Sequence, residues 1–167
     1  LVKLLRKTIR EYKKVNKIAA EKYEEMLRKT LDEYNKRREA LSADEATVTQ
    51  NEAVTAIIDE ATKQALDLLN ALGEDKESFR GLGLSFEEKA FYDILLHLRD
   101  KYNFEYGEDK KVGSLVVNEK CKALAKKIKE LIDVQSTFTD WLNNTKIRAD
   151  LNQKIFFCLH ANGYPPQ

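Results

Sequence analysis

At 167 residues, 43% hydrophobic and 34% charged, the chain is long enough to bury a core. No apolar run approaches the roughly 18–20 residues of a membrane span, which excludes a membrane-spanning helix within these residues; with no signal peptide expected ahead of them, a cytoplasmic protein is predicted. The net charge of +1 hides segregation: residues 1–41 carry 13 Lys/Arg against 7 Asp/Glu, residues 42–100 carry 5 against 13, and residues 101–167 carry 11 against 8. The plainest reading of such runs is solvated helix faces. A basic arm beside an acidic middle also fits self-complementary packing or a nucleic-acid face.

Only six Gly and two Pro among abundant Lys, Glu, Leu and Ala predict an all-α chain, a bundle of about five helices with no significant sheet. Residues 1–41 contain neither Gly nor Pro, and Leu1, Leu5, Thr8, Tyr12, Val15, Ala19, Tyr23, Met26, Thr30 and Tyr34 step by three and four. This predicts one long N-terminal helix, roughly 60 Å if unbroken. Starting without Met or a cap, it reads as continuing from a missing upstream domain. Residues 42–167 are expected to form the bundle, the two parts together making one C-terminal domain fragment.

Ser42 and Glu45 match a reciprocal capping box, and Gly73 supplies a stop. Between them Val54, Ile57, Ile58, Ala61, Ala65, Leu69 and Leu72 form one face, expected to fold back antiparallel on the first helix. Residues 74–84 read as a polar loop. Ser85 and Glu88 form a second capping box, opening a helix to about Lys101 with Phe91, Ile94, Leu95 and Leu98 buried. Residues 102–113 read as irregular. A fourth helix follows from Leu115, Val117, Cys121, Leu124, Ala125, Ile128, Leu131 and Ile132, with Lys122, Lys126, Lys127 and Lys129 outward. The last helix carries Ile147, Leu151, Ile155, Cys158 and Leu159 on one face. Asn143 or Asn144 caps its start, Gly163 closes it, and Pro165 and Pro166 forbid its continuation.

Candidate chemistry is sparse. No Gly-rich phosphate loop occurs, so a nucleotide is not bound that way. Glu87-Glu88-Lys89 superficially matches the E-x-K of metal-dependent nucleases, but it falls in the first turn of a helix, where acids already suit the dipole. His97 lies four residues after Asp93, as an intrahelical ion pair requires. Cys158-x-His160 lacks the second ligand pair of a zinc site. Cys121 and Cys158, each on the apolar side of a helical pattern, read as buried thiols in a reducing compartment, with a disulfide between them the lesser alternative. The expectation is therefore no enzyme: no catalytic residue, no metal and no cofactor in this stretch. Arg37 and Arg38, with Lys126, Lys127 and Lys129, remain candidates for contacting a partner or DNA phosphates.

Five pieces occur in one order: Tyr34-Asn35-Lys36-Arg37; the run from Leu82-Gly83-Leu84-Ser85-Phe86 through Glu87-Glu88-Lys89-Ala90-Phe91-Tyr92-Asp93; Thr139-Asp140-Trp141; Arg148-Ala149; and Gly163-Tyr164-Pro165-Pro166. In that order the chain resembles, over roughly residues 20–167, the C-terminal helical region of the restriction (motor) subunit of type I restriction-modification enzymes. Phe91, Tyr92, Asp140, Trp141, Arg148, Tyr164 and Pro165 are the signature positions. Two stretches depart from the family's pattern, Leu142-Asn143-Asn144 and the more elaborate 102–112. The resemblance implies a bacterial ATP-dependent endonuclease as parent, whose missing nuclease and motor domains use ATP and Mg. It implies that this region docks the motor onto the methyltransferase and specificity subunits. Trp141 and Tyr164 would pin the last helix, and Arg148 would meet Asp140 or a partner. The alternative is a stand-alone helical nucleic-acid-binding module.

Overall fold

Asn16 sits in the middle of the long N-terminal apolar stripe, and an Asn side chain can satisfy the free N–H groups that open a helix. In the computed structural model, which describes residues 1–42 and 48–166, it does so: Ala19 N–H donates to Asn16 Oδ1 at 3.0 Å. The expected unbroken helix is consequently two, α1 (Val2–Lys13) and α2 (Lys17–Ser42). A single rod would leave one end of its stripe in water. The break lets α1 fold back, with Lys13 meeting Glu24 beside the turn and Val2 lining a cavity with Tyr34 at the far end. The chain continues with α3 (Val48–Leu82), α4 (Phe86–Tyr102), β1 (Asp109–Val112), β2 (Leu115–Asn118), α5 (Glu119–Ser136) and α6 (Thr145–Ala161). The all-α expectation holds, with six helices among the described residues and one small hairpin. Of the capping box expected at Ser42 and Glu45, Glu45 lies outside the described residues, and Ser42 is the last residue of α2.

The chain divides into two compact units, Leu1–Lys76 and Glu77–Gln167. In the first, Leu5, Ile9 and Tyr12 of α1 and Ala19, Ala20, Tyr23 and Leu27 of α2 are buried, as are Ala65, Leu68 and Leu72 of α3. Tyr12 Oη donates to Asp75 at 3.1 Å, Tyr23 Oη donates to the Ala71 carbonyl at 3.0 Å, and Arg37 pairs with Glu60. These contacts run α3 antiparallel to α2, as expected. They also give the charge segregation a physical meaning. Residues 1–41 carry 13 Lys/Arg against 7 Asp/Glu and residues 42–76 carry 2 against 8, so the unit is neutral. Of the expected α3 face, Ile58 is exposed, while Leu68 takes a buried place that the reading omitted.

Gly73 does not stop α3. The helix continues through the expected loop to Leu82, because Phe79 and Leu82 reach the core of the second unit and offset the modest cost of a mid-helix glycine. The stop is Gly83, at φ 66°, where Gly83 N–H donates to the Arg80 carbonyl and Leu84 N–H to that of Phe79. This is the Schellman closure, which throws the following residue back against the helix end. The same pair of bonds recurs twice. Asn103, at φ 52°, closes α4 and delivers Phe104; Gly163, at φ 64°, closes α6 and delivers Tyr164.

In the second unit the capping box at Ser85 and Glu88 forms reciprocally, at 3.1 and 2.7 Å. The buried face of α4 is turned from the expected one: Lys89, Ala90, Tyr92 and Leu95 are inside, Phe91 and Leu98 are half-buried, and Ile94 is exposed. Leu115 and Val117, expected on a helix, belong instead to β2, which pairs antiparallel with β1 in the register Asp109↔Asn118 and Val112↔Leu115. A two-residue Gly113-Ser114 turn joins the strands, with its glycine at φ 64° first, as a type II′ hairpin prefers. Around this hairpin Leu84, Tyr92, Leu95, Tyr106, Leu124, Ile128 and Tyr164 form one core. The Tyr164 ring meets Phe104 and Tyr106 edge-on, centroids 5.2 and 4.9 Å apart.

Burial raises the phenol pKa values of Tyr92, Tyr106 and Tyr164, since the charged form would lose its water. A group raised in the folded state contributes stability that is complete below its unfolded value and lost as pH rises toward the folded one. The second unit is therefore expected to lose stability as pH climbs above about 10. Tyr164→Phe should flatten that decline in a series of alkaline thermal melts.

Candidate functional site

The signature positions do not converge on one place. Tyr92 and Tyr164 share the core, with Phe91 half-buried beside them. Tyr92 Oη donates to the Val116 carbonyl and accepts from Asn118 N–H, both at 3.0 Å, and Tyr164 Oη donates to the Leu95 carbonyl at 2.6 Å. Asp140 and Trp141 lie instead in the connection between α5 and α6. Asp140 has φ 59° and accepts from Asn143 Nδ2 at 2.7 Å, while Trp141 is half-buried outside the core cluster. Of the two candidate caps it is Asn144 that opens α6, accepting from Lys146 and Ile147 N–H. Arg148 is exposed on the first turn of α6, with no ion pair among the described residues, and Pro165 is exposed.

The candidate cations are scattered as well. Arg37 is held by Glu60 and Arg38 is exposed, both in the first unit. On α5, Lys126 is half-buried and Lys127 donates to Asn162 Oδ1 at 2.7 Å. Lys129 pairs with both Asp133 and Glu87, which hold its ammonium above the ordinary range. The Glu87-Glu88-Lys89 run is similarly dispersed. Glu87 goes to Lys129, Glu88 to the Ser85 backbone, and Lys89 to Asp93 at 2.6 Å. Asp93 therefore meets Lys89, one turn before it, where His97 was the expected partner.

One polar network is built around a buried side chain, Asn118. Asn118 donates through Nδ2 to the Tyr106 carbonyl and to Asp109 Oδ1, each at 2.8 Å, and its Oδ1 accepts Cys121 N–H at 3.0 Å to cap α5. Asp109 also accepts from Arg99 at 2.6 Å. The Arg99 hydrogen bond holds the Asp109 carboxyl below its usual range, so at neutral pH it is an ion-pair acceptor rather than a general acid. Gly107, at φ 71°, sits so close that an added Cβ would lie 2.6 Å from Asn118 Oδ1. The geometry is that of a brace. Cys121, buried, has its thiol pushed up to about 11 chiefly by desolvation, which makes it a poor nucleophile. Both cysteines are free, and no group of three or more His, Cys, Asp or Glu is gathered for a metal among the described residues. No helix among those residues is long and apolar enough to cross a membrane.

What the second unit offers outward is apolar. Phe156 and Phe157 on α6 are 62% and 58% exposed, with ring centroids 6.0 Å apart. Leu131 and Val134 of α5 join Phe157 and Cys158 around a shallow depression of about 630 Å³, with Lys127 and Lys154 at its edge. Phe138 and Leu142, on the connecting segment, are also more than half exposed. Neither phenylalanine is among the candidates expected from the sequence, although both fall off the stripe formed by Leu151, Ile155 and Leu159. Large rings outside a helix's buried stripe are the signal that could have found them.

No curated protein and no solved structure matches the chain significantly. The family model described as type I restriction enzyme HindI endonuclease subunit-like, C-terminal, matches residues 1–167, the whole chain. The chain thus belongs to the C-terminal family of HindI-like type I restriction endonuclease subunits.

Proposed function

We propose that this chain is the docking module of a type I restriction endonuclease subunit, fastening the motor of its parent to the methyltransferase and specificity subunits in the bacterial cytoplasm. In this reading ATP hydrolysis, Mg and DNA cleavage belong to other domains of the parent. The residues here hold shape and present a surface. The observation that carries the reading is the exposed apolar surface of α5 and α6, where Phe157 lines the depression with Leu131 and Val134 and Phe156 lies beside it. Rings left this exposed on a well-capped helix find their use in being covered by a partner, and the family is one of subunits.

Covering both rings is worth about 3 kcal/mol, roughly 100-fold in affinity. The test is capture of the methyltransferase–specificity complex by this chain at low and high salt. Wild-type capture is expected to survive high salt, since apolar docking is not screened. Phe156→Ser combined with Phe157→Ser should abolish it without changing the far-ultraviolet circular dichroism. Undiminished capture by that double variant would sink the proposal.

A further inference from the structure

The positive charge of the first 41 residues is concentrated in the first helix. Residues 1–17 carry 7 Lys/Arg against a single acid, Glu11, whereas residues 18–41 carry 6 against 6. At 100° per residue, Lys3, Arg6, Lys7, Arg10, Lys13 and Lys14 fall within about 120° of arc, on the side of α1 away from Leu5, Ile9 and Tyr12. Lys13 and Lys14 are engaged by Glu24 and Glu11. Lys3, Arg6, Lys7 and Arg10 are exposed and make no ion pair among the described residues. Arg6 and Arg10 also edge a groove of about 440 Å³ between α1 and α2. Its α2 side carries Glu24, Asp32 and Asn35, with Arg28 paired to Asp32, so the uncommitted cations of the groove are those two arginines of α1.

We propose that this outer face of α1 is a binding surface for the phosphate backbone of duplex DNA. Leu5, Ile9 and Tyr12 are buried within the first unit, and the two exposed leucines, Leu1 and Leu4, offer too little apolar area for a lipid surface. Beside them the outside of α1 carries a cationic row, bordered by the single acid Glu11. Its cations recur about every 6 Å, one helical turn apart, and the 12-residue helix is about 18 Å long. That length runs beside about five phosphates of one DNA strand, enough for the four uncommitted cations. Arg6 and Arg10 can each take a phosphate with two parallel N–H donors. Of the cations elsewhere, Arg37, Lys127 and Lys129 are spent on partners within their own units.

The site does not depend on the docking role of α6, and its test leaves that role standing. Anisotropy of a labelled random-sequence DNA duplex, titrated with this chain across a salt series, should give a slope of about −3.6 in log K against log salt. Arg6→Glu with Arg10→Glu should weaken binding about tenfold or more at low salt and flatten the slope, with helicity unchanged because both side chains are exposed. Lys126→Glu with Lys127→Glu should leave DNA binding as it was. The proposal is overturned by salt-insensitive or absent binding, by equal losses in both double variants, or by full DNA affinity in the α1 variant. The last result, joined to lost capture of the methyltransferase subunits, would give the α1 face to an acidic protein surface instead.

Discussion

Asn118→Ala is expected to destabilise the second unit by about 3 kcal/mol. Losing the α5 cap costs about 1 kcal/mol, and stripping the donors from the buried Tyr106 carbonyl and from Asp109 adds about 2 kcal/mol. For a unit of this size that lowers the melting temperature by on the order of 15 °C. Trp141, the chain's one Trp, lies in the second unit, so intrinsic fluorescence follows that transition directly. Asn118→Asp keeps an oxygen to cap α5 but sets a carboxylate 2.8 Å from Asp109 where a donor had been. It should recover little of the loss. A shift of only a degree or two in both variants would show that the hairpin is not held by this network.

Tyr164→Ala is expected to cost still more, about 4 kcal/mol, since it removes a buried ring that two other aromatics meet edge-on. Tyr164→Phe keeps the ring and loses only the hydroxyl donated to the Leu95 carbonyl, for about 1 kcal/mol. The contrast between the two variants separates packing from hydrogen bonding. Equal losses in chemical denaturation would assign the residue's role to its hydroxyl rather than to its ring. Protection of α4 amides from hydrogen exchange should follow the same order, because the hydroxyl grips α4 at Leu95.

The parts of the fold legible in the sequence were those written in local chemistry. Ser85 and Glu88, Asn144 and Gly163 each act on backbone groups within a few residues, and each does what its type predicts. The misreadings came where distant packing or an unremarkable residue decided. Asn16 interrupts a stripe whose spacing runs on without a break. Gly73 stays helical because Phe79 and Leu82 have a core to reach. The strand Asp109–Val112 is exposed along its whole length, so no alternation marks it, and only Gly113-Ser114 betrays the turn. The same division holds for the candidate surfaces. Phe156 and Phe157 are visible as rings off their stripe, whereas the engagement of Arg37 by Glu60, 23 residues away, is not.

The three left-handed helix endings act together as a gauge of chain length. A helix turns about 100° with each residue, so one residue gained or lost just before Gly83, Asn103 or Gly163 would swing Leu84, Phe104 or Tyr164 out of the shared interior. The segment at 137–144 gives no side chain to that interior and carries no such restriction. Insertions and deletions during the divergence of such chains therefore have somewhere to accumulate in the second unit, and three places where they cannot.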